Sequence, residues 1–273
     1  MKPTSLIVSV ALLSSVLSSP LDALCQEDDQ DSVPTVLAKR GELILDDPGT
    51  QVRGGKTLVR FESGATGRAA AGAWERSPES EGDWRSTWSE EMGHTPVSSY
   101  QGFKGTDFVV EVTFRYGPMT APEHTQCFRI ALDNRPKVTG HVLSAWANPN
   151  NDFIETGFLL QHIRKTPAKK PIEDLLLDHQ TIQVEPEIWY TAVLEVVGDE
   201  ALFRMGDHVA YAQAEPIRMP KNLLSLTMGK TWHEIKRVRL WRAEPNTEWA
   251  THQTEVLKRR RAFTPGPHDY RPE

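Results

Sequence analysis

From Phe108 to Tyr116 the chain alternates strictly. Phe108, Val110, Val112, Phe114 and Tyr116 share one parity, and Val109, Glu111, Thr113 and Arg115 share the other. Successive side chains of a strand point to opposite faces, so this segment predicts a central strand with one apolar and one polar face. The pattern recurs where Phe128, Ile130 and Leu132 interleave with Arg129, Ala131 and Asp133, and where Val238 and Leu240 interleave with Arg237, Arg239 and Trp241. Further strands are expected at Gly140–Ala147 and Gly157–Lys165, with shorter ones at Glu42–Leu45, Lys56–Glu62, Ala73–Arg76, Leu175–Asp178 and Thr181–Val184. Between Trp189 and Ala212 the two Gly-Asp pairs, Gly198-Asp199 and Gly206-Asp207, break three short apolar runs as hairpin turns do. No strong long helix is expected before residue 246. Asn246–Ala262 predicts one, with Asn246 or Thr247 as its cap, Glu248 in its first turn and the basic run Lys258–Arg261 at its far end. About a dozen short strands and one late helix add up to an all-β, two-sheet sandwich with a short C-terminal helix and tail.

The ends of the chain read differently. Met1-Lys2 followed by the apolar run Leu6–Leu17 is a secretory pattern, too short to span a bilayer. A signal peptide is expected over residues 1–25, with Ala23-Leu24-Cys25 as the cleavage region, which implies a secreted or periplasmic product. Cys25 also opens a lipoprotein reading, against which stands the bulky Leu24. Residues 26–40 form an acidic, flexible leader, residues 41–243 the sandwich, and residues 244–273 a helix and tail, disordered from Phe263 onward among Pro265, Pro267 and Pro272. The length of 273 residues suits one such sandwich plus tails, and a formal charge of −6 argues against nucleic acid as a partner. With Cys25 removed, Cys127 has no partner for an internal disulfide, and its apolar setting makes it a small buried hydrophobe.

The order Trp, apolar strand, Gly-Asp, short strand, Gly-Asp, short strand, loop, closing strand ending in Trp resembles the second half of concanavalin A-like jelly-roll sandwiches. Laminin-G-like modules and bacterial 3-keto-disaccharide hydrolase-like domains are among them. Met205-Gly206-Asp207-His208 occupies the family's characteristic turn, and the resemblance covers roughly Gly41 to Ala243. It implies one curved sheet whose polar face forms a groove for carbohydrate. The groove candidates are then the residues turned away from the core on central strands: Glu111 and Arg115, Arg129 and Asp133, His141 and Trp146, Gln161, His162 and Arg164. His162 shares the parity of Phe158 and Leu160, so either it is buried and Gln161 takes the groove, or both line it. Asn150 and Asp152, in an Asn-rich loop, supply donors and acceptors suited to sugar hydroxyls. Trp232-His233-Glu234 is a candidate rim. The eight tryptophans serve either as core fillers or as stacking platforms.

Specific chemistries find little footing. Sandwich glucanases carry Glu-x-Asp-x-x-Glu or a close variant on one strand, which is missing here. Gln161-His162-Ile163-Arg164 comes near the Gln-x-His strand of sandwich lyases but misses its spacing by one. No His-Glu-x-x-His occurs among the nine histidines, and GATGR lacks the Gly-Lys-Ser/Thr of a phosphate loop. No cofactor is expected. Asp46 and Asp47, before Pro48-Gly49, offer at most two carboxylates to a structural Ca²⁺ and otherwise a solvated turn. Glycan binding at a polar groove is the first functional expectation; hydrolysis of an oligosaccharide derivative there and a non-catalytic envelope or matrix module are the alternatives.

Overall fold

A computed structural model describes residues 32–48, 59–78, 83–136, 139–151, 154–165 and 171–268. The expected signal peptide lies outside them, as does Asp152. The chain divides into Met1–Pro34, of which only residues 32–34 are described, and a unit running from Thr35 to the C-terminus. The described strands all belong to this second unit.

In chain order they are β1 (Ala38–Asp47), β2 (Val59–Arg60), β3 (Thr66–Ala71), β4 (Ala73–Arg76), β5 (Trp84–Thr87) and β6 (Val97–Gly105). Next come β7 (Phe108–Tyr116), β8 (Phe128–Asp133), β9 (Thr139–Asn148), β10 (Gly157–Lys165) and β11 (Pro171–Gln180). The last are β12 (Trp189–Val197), β13 (Glu200–Met205), β14 (His208–Gln213), β15 (Lys221–Met228), β16 (His233–Pro245) and, after helix α1 (Trp249–Leu257), β17 (Gly266–Pro267). One sheet runs β14-β13-β12-β7-β16-β5-β4, with β1 added to the second half of β16; the other runs β17-β11-β10-β9-β8-β15-β6-β3-β2. Neighbouring strands are antiparallel. The all-β two-sheet sandwich with a short C-terminal helix is thus the observed architecture.

The alternation decides the core. Phe108, Val110, Val112, Phe114 and Tyr116 of β7 face Phe128, Ile130 and Leu132 of β8 and Leu143, Ala145 and Ala147 of β9 across the two layers. Phe114 stacks on Phe128 with ring centroids 3.7 Å apart, and Phe158 on Phe203 at 4.2 Å. The Tyr116 hydroxyl, buried at this contact, donates to the Ala147 carbonyl at 3.0 Å and so ties the sheets together. A buried hydroxyl needs such a partner, because leaving it unpaired costs about 1–3 kcal/mol.

Several elements differ from the sequence expectation. Leu175–Asp178 belongs to one ten-residue strand, β11, while Thr181–Val184 is not a strand. β3 and β6 emerge from segments with weak alternation, rich in Gly, Ala and Ser, and with β15 they pair into the second sheet beside β8. Ordered structure starts before Gly41: the N–H groups of Val36, Leu37 and Ala38 all donate to one Glu195 carboxylate oxygen at 2.8–2.9 Å. The described part of the tail, residues 258–268, is packed: Phe263 lies on a small cluster of Cys127, Trp146, Ile154, Leu159 and Leu176, and β17 adds to β11. Among the described residues no helix is long and apolar enough to cross a membrane.

Candidate functional site

The polar residues of the two sheets meet different fates. On the outer face of the β7 sheet, carboxylates sink between cations. Glu111 accepts from Arg40 at 2.8 Å and from Arg239, which also bonds it through Nε at 2.9 Å. Glu195 takes Arg204 at 2.8 Å in addition to the three backbone N–H groups. Glu234 lies between Arg85 (2.7 Å) and Arg115 (2.5 Å), with the Ser77 hydroxyl also donating to it. The two arginines continue into a series of cations over indoles. Arg85 lies 4.2 Å from the Trp232 ring centroid, Arg115 4.9 Å from that of Trp189, and Lys236 6.0 Å from Trp189. Glu111 and Arg115 are groove candidates by sequence, and Trp232 and Glu234 rim candidates. All four are instead parts of these ion-pair and cation–π assemblies, whose partners already satisfy them.

The outer face of the second sheet is where the remaining candidates gather. Arg129 and Asp133 project from β8, and Trp146 stands opposite Arg129 in the β8–β9 register. The Arg129 guanidinium lies 4.8 Å from the Trp146 ring centroid, donates to Thr227 Oγ1 at 2.7 Å, and contacts His141 Nε2 at 3.0 Å. His141 Nδ1 faces both oxygens of Asp133 at 3.0 and 3.1 Å. This geometry assigns the tautomer: Arg129 donates to Nε2, so Nδ1 carries the proton and donates to Asp133. Burial first, and the Arg129 charge second, hold His141 below its ordinary imidazole range, against the opposing pull of Asp133. From Trp146 the network continues sideways. Its indole N–H donates to Gln161 Oε1 at 3.1 Å, and Gln161 Nε2 donates to Asp174 Oδ1 at 2.8 Å and lies 3.2 Å from His268 Nδ1. Asp174 and His268 escape sequence reasoning. One sits on β11, a strand without clear alternation, and the other in a tail expected to be disordered.

Local backbone features aim these groups. Gly140 sits at φ +118°, and a Cβ there would lie 2.2 Å from the Ile163 carbonyl oxygen, so only glycine fits the point where β9 passes β10 just before His141. Opposite it, the β9–β10 register shifts between Gln161 and Ile163. His162, inside that irregularity, is fully buried and its Nδ1 contacts the Val142 carbonyl at 2.8 Å. The first of its two sequence readings therefore holds, and Gln161 takes the outer face. Arg164 is exposed and lies 3.8 Å from Glu173, away from the network. Asn150 accepts from the Gln126 N–H and contacts Met119, which makes it a loop staple.

Two further expectations are narrowed. Trp146 is only 5% exposed, so its indole is the floor of the face and not a stacking platform. Asp46 and Asp47 do not converge on a cation: Arg237 occupies both oxygens of Asp46 at 2.8 and 2.7 Å, while Asp47 accepts from the buried Tyr100 hydroxyl at 3.0 Å. Among the described residues no cluster of three or more His, Cys, Asp or Glu could hold a metal ion. Cys127 is buried, and burial pushes its thiol up to about 12, which removes it as a nucleophile.

No family model matches the chain, and no curated protein matches it in sequence. Solved structures do. A carbohydrate-binding module, CBM66 from Bacillus subtilis, shares 10% identity at a TM-score of 0.45 over 64% of this chain and 94% of that one. CG-16, a homodimeric agglutinin from chicken liver, matches at 6% identity and a TM-score of 0.39, over 51% of this chain and 96% of its own. Trypanosoma rangeli sialidase matches over 82% of this chain but 34% of its own length, at 10% identity and a TM-score of 0.44. The chain is a two-sheet, mostly antiparallel sandwich. Likeness at this level concerns the fold alone.

Proposed function

We propose that the chain is an exported, non-catalytic carbohydrate-binding sandwich whose site is the outer face of β8, β9 and β10. One observation carries this reading: Arg129, Trp146 and Gln161, drawn from three strands, meet in one continuous network with His141 and Asp133. Planar groups with fixed donors and acceptors suit sugar hydroxyls, because each hydroxyl both donates and accepts. The narrower kinship with laminin-G-like and 3-keto-disaccharide hydrolase-like domains belongs to the same reading, supported by the Met205–His208 turn. Binding is favoured over hydrolysis by His141 because both of its nitrogens are engaged, Nδ1 by Asp133 and Nε2 by Arg129. The burial of Trp146 favours a second reading, a structural envelope or matrix module in which the network only stiffens the sheet. A glycan array, followed by calorimetry on the hits with Gln161→Ala and His141→Ala, separates the two. Saccharide binding weakened by both variants supports the site; no binding to any plant, algal or bacterial glycan leaves the structural module.

A further inference from the structure

Arg129 differs from the other arginines of this protein in what it lacks. Arg40, Arg85, Arg115, Arg204, Arg237, Arg239 and Arg260 are each buried or half-buried, and each contacts a carboxylate directly. Arg129, half-buried on the second sheet, contacts no carboxylate among the described residues. Its polar partners are a hydroxyl, Thr227, and a neutral imidazole, His141; the nearest acid, Asp133, lies on the far side of that imidazole. A guanidinium has five N–H donors in a planar fork. Thr227 and His141 take one each, and Nε is buried without a partner. Two hydroxyls of the same face, those of Ser99 and Ser144, are likewise buried and unpartnered. Burial pulls the Arg129 guanidinium below its ordinary range, with the charge of Asp133, beyond His141, opposing that shift. Every comparable arginine among the described residues is paired, and this one is left open at the centre of the polar face.

We infer that the missing partner is an anionic group on the ligand, so that the glycan engaged here is an acidic one, bearing a carboxylate or a sulfate ester. This rests on the carbohydrate reading above and adds the substrate class to it. Carboxylate and sulfate oxygens both match the planar fork, and the Trp146 ring beneath and Thr227 beside it hold the fork in a single orientation. His141 stays neutral and so leaves the positive charge of Arg129 as the local attraction, while Asp133 and Asp174 bound the site on two sides and select where an anion can lie.

The test measures calorimetric affinity of the full chain for uronate oligosaccharides, for sulfated oligosaccharides, and for the carboxyl-reduced and desulfated counterparts of each. The variants are Arg129→Met, Arg129→Lys and, as a charge-matched control on the exposed surface, Arg164→Met. One acidic series is expected to bind roughly ten- to a hundredfold more tightly than its neutral counterpart. Arg129→Met should abolish that difference, Arg129→Lys should restore part of it, and Arg164→Met should leave it unchanged. Arg129→Met removes no direct ion pair but leaves buried Asp133 facing only a neutral imidazole. Arg129→Lys, which keeps the charge, and a near-UV circular dichroism spectrum of each variant therefore separate lost binding from lost structure. Equal affinity for acidic and neutral saccharides overturns the inference while leaving the carbohydrate reading in place, as does acidic-glycan binding that survives in Arg129→Met. No binding to any of the saccharides overturns both.

Discussion

Replacing Glu234 by Gln tests whether the ion pairs on the β7 sheet are structural. The carboxylate is fully buried between Arg85 and Arg115, whose side chains are each 13% exposed. Gln preserves shape and one acceptor oxygen but sets an amide donor against an arginine donor, and the local charge rises by one unit. Two unit charges about 4 Å apart attract by about 4 kcal/mol at the effective dielectric near a protein surface. Breaking one member of a buried pair costs about 3–5 kcal/mol, because the partner charge stays desolvated. Both arginines keep their contacts with Trp232 and Trp189 and can tilt toward water, which places the expected loss near the lower end, about 3 kcal/mol. For a domain of this size that is a fall in Tm of about 6–12 °C. In urea the midpoint should move down by about 1 M with an unchanged slope. A loss below about 1 kcal/mol would refute the reasoning, since it is the value of a solvated surface pair.

Other outcomes depend on single residues. His233 is fully buried, and burial depresses its pKa from 6.5 to about 4. The unfolded chain then binds more protons between those values, so stability present above pH 6.5 should fall by about 3 kcal/mol as the pH drops through the window to 4. His233→Gln should flatten that part of a urea-midpoint-against-pH curve, and an unchanged slope would contradict the assignment. Cys127 should not react with a thiol reagent in the folded protein and should react fully after denaturation; native reactivity would place it at the surface. Gly140→Ala should destabilise by about 2–3 kcal/mol, from the positive φ and the clash with the Ile163 carbonyl, and should broaden the NMR signals of the His141 ring. Phe263→Ala should cost about 1–2 kcal/mol, open the tail to limited proteolysis and red-shift Trp146 fluorescence, whereas a tail equally protected in the variant would mean that Phe263 does not anchor it.

Strict alternation in β7 and β8 made the core faces legible residue by residue, and the Gly-Asp turns between β12, β13 and β14 made that meander legible as well. Arg129, Asp133, Trp146 and Gln161 could be named as outward-facing for the same reason: period two is a local property of an extended backbone. His141, by contrast, shares the parity of core-facing Leu143 and Ala145 and is turned outward by the β9–β10 irregularity. The segments around β3 and β6 were harder, because Gly, Ala and Ser carry little hydrophobic contrast. Their strand state comes from pairing with neighbours far away in the chain. The ordered tail was invisible for a similar reason, since Phe263 and His268 are held by Trp146, Asp174 and Gln161 and not by local propensity.

What the sequence determined by itself was the parity of each strong strand, the sandwich class and a set of polar residues turned from the core. Tertiary structure alone decided which of them meet. Glu111 and Arg129 have the same kind of pattern around them, yet β7 joins β12 and β16 while β8 joins β9 and β15. Glu111 thus finds two arginines and Arg129 finds none of the carboxylates it would need. Side-chain direction is set within a few residues, but the partner of a charge is set by strand order, and strand order depends on contacts a hundred or more residues apart along the chain.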